Sequence, residues 1–433
     1  MFRRNIGRRK TWGAGCLLAG MIASTSTSAA QEPDRARAAT EAASQASEAD
    51  RLFKLGEFAA ALPIYEAERA SRATTGDLRY EAYARRAIGI CHAELGDDPA
   101  AIAAWKRAYD LDLKRDDPGF AGYDDFLIGQ AEARLGRLDD ALASLERALT
   151  RLNGAADRDH ETDARLVMAR LLVGTGRGEA ARPFAARALQ LAEGAKDAWR
   201  IADAYASRGQ VEGATGRASA ALDDFTRAAG LFNEQGRAAE VAWMETTSAS
   251  ALALLNRPDQ ALARYEKAAQ LHKHLEDGGA TAEDLAAAAG LHLDAGRLDL
   301  ALAAAQEAVA QARDADDRDR EVEARVRLAQ VQGARADWPA AAETLDEAVI
   351  LARQTYRDDP AEQVRILLTA AATDARAGRK DRVDARLKAA TQLAGDAKSP
   401  DLQRAITTAS ESFRSPAIAP GTSSPPPRPV PAP

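Results

Sequence analysis

The segment GRLDDAL at residues 136–142 has counterparts at regular intervals along the chain. They are GEFAAAL (56–62), GDDPAAI (96–102), GRGEAAR (176–182), GRASAAL (216–222), NRPDQAL (256–262), GRLDLAL (296–302), ADWPAAA (336–342) and GRKDRVD (378–384). The first eight segments start 40 residues apart, and the ninth starts 42 residues after the eighth. A register kept over so many segments indicates an internal repeat, and periods of this length are typical of solenoids and related arrays.

Each repeat is predicted to be a pair of antiparallel helices. Glycine, or in one case Asn256, begins most of the segments, and both residues end a helix cheaply because they tolerate a left-handed backbone. Only a short turn follows, so the next helix must return alongside the first. Charged segments such as LKRDDPG (113–119) and DRDHETD (157–163) are interpreted as solvated connections between successive hairpins.

Small residues recur at fixed positions of both predicted helices. The second helix carries alanine five residues after the start of eight segments, namely at Ala61, Ala101, Ala141, Ala181, Ala221, Ala261, Ala301 and Ala341. The first helix carries a small residue, such as Gly89 or Gly129, seven residues before the turn. Larger apolar residues such as Trp105 share a helical face with these alanines. Alternating small and large side chains let the paired helices approach closely and interlock.

The pattern of small, glycine, apolar and alanine positions resembles the tetratricopeptide repeat, with a period of 40 residues rather than the common 34. The resemblance covers about residues 42–397 and is specific for fold but weak for function. It implies an all-α fold, a right-handed α-α superhelix of about nine helical hairpins. LQRAITTASESF (402–413) is then expected to lie in a capping helix over 398–414, since a solenoid must cover its last apolar face.

The two ends of the chain differ from the repeats. Residues 1–30 combine five basic residues, an uncharged apolar stretch and a small-residue end at Ala29-Ala30, which predicts a cleaved secretory signal peptide and a periplasmic or extracellular location. The alternatives are an uncleaved anchor, twin-arginine export and a lipoprotein attached at Cys16. Residues 31–41 are expected to be a flexible lead. The proline-rich segment 415–433 is expected to be a disordered tail, or a spacer or ligand for a polyproline-binding domain.

Charge and motifs narrow the function. Without residues 1–30 the chain keeps 53 basic and 65 acidic residues, a net charge of −12, which argues against nucleic acid and anionic membranes as partners. Cys91 is then the single cysteine, so no intramolecular disulfide is expected. No metal-binding, phosphate-binding or nucleophile motif is present in the sequence. We therefore predict no catalytic residues, no metal and no cofactor, and no membrane span after signal cleavage.

The resemblance implies that a partner binds along the first helices. Carrying the family's contact positions over to this sequence gives Phe53, Tyr83, Arg86, Ile90, Tyr123, Phe126, Gln130, Arg170, Gln210, Trp243, Ser250 and Gln330. Phe53, Tyr83, Tyr123 and Phe126 could form an aromatic groove, although aromatic side chains at helical spacing more often pack in a core. Gln130, Gln210 and Gln330 recur at one position and could hydrogen-bond a peptide backbone. The family's carboxylate clamp is absent, because Arg86/Ile90 and Leu166/Arg170 stand where it needs lysine and asparagine.

These observations predict an exported scaffold or adaptor that binds a protein or peptide in its concave groove. The alternative is a self-associating structural solenoid of the cell envelope, and a more remote one is an enzyme with an unrecognised site.

Overall fold

The computed structural model describes residues 48–414, and this part of the chain is helical with no strand. The predicted signal peptide, the flexible lead and the proline-rich tail lie outside the described residues. The helices are α1 (48–54), α2 (Phe58–Thr75), α3 (Leu78–Glu94), α4 (Asp98–Lys114), α5 (Pro118–Arg134), α6 (Leu138–Gly154), α7 (Arg158–Gly174), α8 (Gly178–Ala195), α9 (Ala198–Ala214), α10 (Ala218–Glu234), α11 (Ala238–Leu254), α12 (Pro258–His274), α13 (Gly278–Asp294), α14 (Leu298–Asp314), α15 (Arg318–Ala334), α16 (Trp338–Thr355), α17 (Pro360–Arg376), α18 (Lys380–Asp396) and α19 (Pro400–Arg414). The pairs α1–α2 to α17–α18 are the nine predicted hairpins, and the all-α solenoid fold is confirmed.

The turns between hairpins are as short as the turns within them, whereas the sequence predicted that whole charged segments such as 113–119 are connections. Helix α4 ends at Lys114 and α5 begins at Pro118, so most of the segment 113–119 is helical. The aspartates that made these segments look like loops are N-caps. Asp117 accepts a hydrogen bond from the backbone N–H of Phe120, and Asp157 accepts one from that of His160. Such a cap satisfies an amide that the helix leaves unpaired.

Two compact units divide the described chain within α10, unit 1 ending at Asp224 and unit 2 beginning at Phe225. In each unit the helices of one hairpin pack together, and the second helix packs against the first helix of the next hairpin. First helices of successive hairpins also touch, as α5 and α7, α7 and α9, and α13 and α15 do. Helix α19 packs against α17 and α18 at the end of unit 2.

The predicted small positions are the sites of closest helix contact. The alanine five residues into each of the eight segments has no exposed surface. Gly89 of α3 faces Trp105 of α4, and a Cβ atom at Gly89 would lie 2.3 Å from the indole Nε1 atom. Gly129 of α5 faces Leu145 of α6 in the same way, and a Cβ atom at Gly129 would lie 2.9 Å from the Leu145 Cγ atom. Among residues 48–414, no helix is both long and apolar enough to cross a membrane.

Candidate partner-binding surface

Three predicted contact residues lie in one row on unit 1. Gln130 of α5, Arg170 of α7 and Gln210 of α9 stand 40 residues apart and are all half-buried, and α7 touches both of the other helices. We call this row, with the acidic residues paired to it, the α5–α7–α9 face. The side chains of Gln130 and Gln210 form no hydrogen bond with the residues that the structure describes. Their carboxamides therefore keep both donor and acceptor capacity.

Ion pairs between successive first helices complete the α5–α7–α9 face. Arg170 of α7 lies 3.1 Å from both carboxylate oxygens of Asp203 in α9. Arg200 of α9 reaches back to Asp163 of α7, with distances of 2.9 and 3.0 Å. Burial raises the pKa of Asp163, and the hydrogen bonds from Arg200 oppose that rise. These pairs hold charges of both signs at a partly exposed surface.

The predicted aromatic groove is wrong for three of its four members. Phe53, Tyr123 and Phe126 are at most 5% exposed, so their rings offer no free surface to a partner. Phe53 packs edge-on against Phe58 at 5.3 Å, and Tyr123 stacks on Phe126 at 6.1 Å between ring centres. These contacts support packing, the alternative that the sequence left open.

The remaining residues of the first two hairpins are also held by the fold. Tyr83 is half-buried and donates a hydrogen bond to Asp50 Oδ1 at 2.6 Å. Ile90 is half-buried and packs against the apolar core of unit 1. The surface that they contribute is therefore smaller than the sequence predicted.

Arg86 is placed in the core and not at a contact surface. Its guanidinium donates to Asp124 at 2.6 and 3.0 Å and also bonds Asp112, and all three residues are at most 5% exposed. The cation also lies over the ring of Phe120 at 4.8 Å. Burial raises the pKa of Asp124 to about 7, and the charge of Arg86 opposes a larger rise. Arg86 thus neutralises buried carboxylates, which explains why it cannot serve as a ligand contact.

Unit 2 contains a related cluster, buried at His272 and Asp284 and half-buried at Thr246, in which different residues stand at equivalent positions. Thr246, His272 and Asp284 each lie 160 residues, or four repeats, after Arg86, Asp112 and Asp124. Asp284 accepts hydrogen bonds from Thr246 Oγ1 at 2.7 Å and bonds His272 Nδ1 at 2.8 Å. Both clusters therefore contain an aspartate at this repeat position, but its hydrogen-bond partner is Arg86 in unit 1, whereas Thr246 and His272 bond it in unit 2.

The other predicted contact residues lie on the first helices of unit 2. Trp243 of α11 is half-buried, and Ser250 of the same helix is exposed. The Ser250 hydroxyl bonds the Tyr265 hydroxyl at 2.7 Å. Gln330 of α15 is exposed, and its Oε1 atom accepts a hydrogen bond from Arg327 at 2.8 Å. Over residues 48–414, no three His, Cys, Asp or Glu side chains are grouped to hold a metal ion.

Solved structures share this arrangement of helix pairs. The apo form of RapI superposes with a TM-score of 0.61 at 13% sequence identity, over 83% of this chain and 99% of that one. The apo form of the quorum sensor NprR from B. thuringiensis superposes with a TM-score of 0.56 at 14% identity, over 82% and 99% of the two chains. A Rap protein complexed with Competence and Sporulation Factor gives a TM-score of 0.52 at 13% identity, over 86% and 99%.

The chain has the tetratricopeptide-type helical repeat fold. At these identities the likeness shows the fold alone. No protein-family model matches the sequence, and no curated protein matches it either.

Within the tetratricopeptide-type fold, the acidic half of the α5–α7–α9 face was not predicted from the sequence. Asp163 and Asp203 occupy the repeat position of Tyr83 and Tyr123, two helical turns before Arg170 and Gln210 respectively. The sequence signal for these residues is an aspartate inside a first helix, away from the ends where aspartate caps a helix. Asp124 and Asp125 gave the same signal for the buried cluster, because they interrupt an otherwise apolar run.

Proposed function

We propose that the protein is an exported, non-enzymatic scaffold that binds a peptide or protein partner along the α5–α7–α9 face. The observation that carries the proposal is the row of half-buried polar side chains there. The carboxamides of Gln130 and Gln210 have no hydrogen-bond partner among the described residues, and the Arg170–Asp203 pair lies between them. Half-buried amides with spare donors and acceptors suit the backbone of an extended peptide.

The ion pairs of this face support an exchangeable binding surface. The side chains of Arg170 and Asp203 are 18% and 19% exposed, so a partner can reach them without unfolding the hairpins. A bound chain can insert its own charged group and replace one member of the pair, at little net electrostatic cost.

Two of the similar folds are consistent with binding. One is named a quorum sensor, and another was solved in complex with Competence and Sporulation Factor. Export is proposed from the basic, apolar and small-residue order of residues 1–30.

A crosslinked pull-down from cell-envelope extract tests the proposal. The triple variant Gln130→Ala/Arg170→Ala/Gln210→Ala is expected to lose most of a partner that the wild-type chain enriches, by about tenfold or more, because several hydrogen bonds are removed together. The matched control is Arg107→Ala/Glu146→Ala/Gln190→Ala, which changes exposed residues of the second helices α4, α6 and α8. Equal recovery by wild type and the first variant would refute the assignment of the face.

Self-association is the second candidate, and one observation favours it. Leu55, Leu95 and Leu135 occupy the same position at the turns of successive hairpins and are 60%, 51% and 37% exposed. Exposed apolar residues in a repeated row can form an interface. If the pull-down yields only crosslinks between copies of the chain, self-association becomes the favoured function.

A further inference from the structure

One repeat position on the second helices changes its charge along the chain. It lies eleven residues after the start of each repeated segment, and in unit 1 it carries Arg107, Arg147 and Arg187. The next two hairpins also have a basic residue there, and the two after them have Glu307 and Glu347. Arg187 is half-buried and the other four named side chains are exposed. We call the three arginines the basic row and the two glutamates the acidic row.

The basic row keeps most of its charge available to a partner. Within residues 48–414, Arg107 forms no ion pair, although Asp110 stands three residues after it on α4. Arg187 donates a hydrogen bond to a neighbouring glutamine but pairs with no carboxylate of the described residues. Arg147 pairs with the buried Asp125 at 3.1 Å, yet its side chain is still 49% exposed. An acidic surface can therefore supply the carboxylates that this row lacks.

The acidic row is exposed, and its ion pairs are of the weak surface kind. Glu307 is 46% exposed and lies 3.1 Å from the exposed Lys273. Glu347 is 57% exposed and shares Arg325 with Glu321. One arginine divided between two carboxylates leaves a net negative charge beside Glu347. Because ion pairs between exposed side chains contribute little, a second cation can bind here without the loss of a strong contact.

The surface beside Glu347 suits an arginine in particular. A shallow depression between α15 and α16 places Ile350, Leu351 and Gln354 next to Glu347 and Arg325. Ile350 is 61% exposed, so the apolar stem of an arginine can pack on it while the guanidinium reaches the carboxylate. The two oxygens of a carboxylate offer about four acceptor sites, so Glu347 can accept hydrogen bonds from Arg325 and from a second arginine.

We propose that the basic row of one copy of the chain binds the acidic row of a second copy. The choice of a second copy rests on charge complementarity, because one chain carries both signs at the same repeat position. The net charge of −7 disfavours a nucleic acid or another polyanion. The contact joins unit 1 to unit 2 of another copy, and a closed dimer or a longer assembly satisfies it. It goes beyond the proposed function, in which a different partner binds the first helices, and it does not use the exposed leucines at the turns.

Sedimentation velocity of the purified full chain tests the proposal. Wild type at about 200 µM is expected to associate in about 0.02 M salt and to dissociate in about 0.5 M salt, because salt screens contacts between exposed charges. Two variants, Arg107→Glu/Arg187→Glu in the basic row and Glu307→Arg/Glu347→Arg in the acidic row, place like charges opposite each other. Each is expected to raise the dissociation constant by about tenfold or more while keeping the helical circular dichroism of the wild type.

A mixture of the two variants is the decisive measurement. The reversed row of the first variant is acidic and meets the reversed, basic row of the second, so the mixture should associate again. Its dissociation constant is expected to lie within about threefold of the wild-type value, and this rescue would also show that both variants are folded. The control Arg137→Glu/Arg177→Glu changes the net charge as the basic-row variant does, at exposed turns of unit 1, and is expected to associate like the wild type.

The contradicting results are equally specific. The proposal is overturned by a wild type that stays monomeric, by association that neither variant weakens, or by a mixture that associates no better than either variant alone. A monomeric wild type that binds polyglutamate through the basic row would identify a separate acidic polymer as the partner. The purified chain contains no other protein, so none of these results depends on the pull-down that tests the proposed function.

Discussion

Replacing Arg86 with methionine is expected to lower the free energy of unfolding by about 3–5 kcal/mol, the usual effect of removing one partner from a buried ion pair. Asp124 is affected most, because its carboxylate has no exposed surface and loses the two hydrogen bonds that it accepts from Arg86. Asp112 is affected less because Arg115 still lies 2.5 Å away. Denaturant unfolding followed by circular dichroism measures the change.

Two controls separate the buried charge from lost packing. The double variant Arg86→Met/Asp124→Leu is expected to recover most of the stability, because an apolar pair can replace a buried ionic one. Arg107→Met, an exposed change on α4, is expected to alter stability by less than about 0.5 kcal/mol. If Arg86→Met lowers the free energy of unfolding by less than about 1 kcal/mol, the role of Arg86 as the partner of the buried Asp124 carboxylate is contradicted.

The pH dependence of the same variant has a defined sign. In the wild type the folded pKa of Asp124, about 7, lies above its ordinary value, so the contribution of Asp124 to the free energy of unfolding falls as pH rises from about 4 to about 7. Removing Arg86 raises that pKa further, so folded Asp124 stays protonated above pH 7 while the unfolded chain is ionised. The destabilisation by Arg86→Met is therefore expected to grow above pH 7, and a constant difference would count against it.

Trp105→Ala is the second large effect, with an expected loss of about 3–5 kcal/mol. The indole is 2% exposed, fills the space over Gly89 and donates a hydrogen bond to the carbonyl oxygen of Arg86 at 3.2 Å. Gly89→Ala alone is expected to cost about 1–3 kcal/mol, because its new Cβ atom overlaps the indole. Denaturant unfolding of the single and double variants measures these values.

The double variant tests whether the two residues share one space. Once Trp105 is alanine, the Cβ atom of Gly89→Ala has room, so its cost should nearly vanish and the two effects should not add. Gly154→Ala on α6 is the control, since nothing lies within 4 Å of its Cβ position. Additive costs would show that the indole does not limit the space at Gly89.

The sequence predicted the helix pairs well because their signals are local. A left-handed residue ends each first helix, as at Gly136 and Asn256 with φ angles of 74° and 57°. The connections between hairpins were predicted too long, because an aspartate that caps a helix and one in a loop look alike in composition. Asp117 and Asp157 are recognised as helix caps only by the backbone N–H groups, of Phe120 and His160, that donate hydrogen bonds to their side chains.

The contact surface was harder to predict because it depends on how successive hairpins pack. Arg86 meets Asp112 and Asp124 across separations of 26 and 38 residues, which no local pattern reveals. Phe126 stands at the repeat position of Arg86, and both side chains are 5% exposed, but Phe126 packs in the apolar core whereas Arg86 pairs with carboxylates. A repeat position therefore fixes the helix and the turn, while the neighbouring side chains decide what the residue contacts.

The most direct test of the partner-binding claim is site-specific photo-crosslinking. A photoreactive residue is placed singly at Gln130, Arg170 or Gln210 of the first helices, or at Arg107, Glu146 or Gln190 of the second helices, and each chain is irradiated in envelope extract. The α5–α7–α9 face predicts that a partner is crosslinked from the first three positions and not from the other three. Crosslinking of the partner only from the second-helix positions would contradict it.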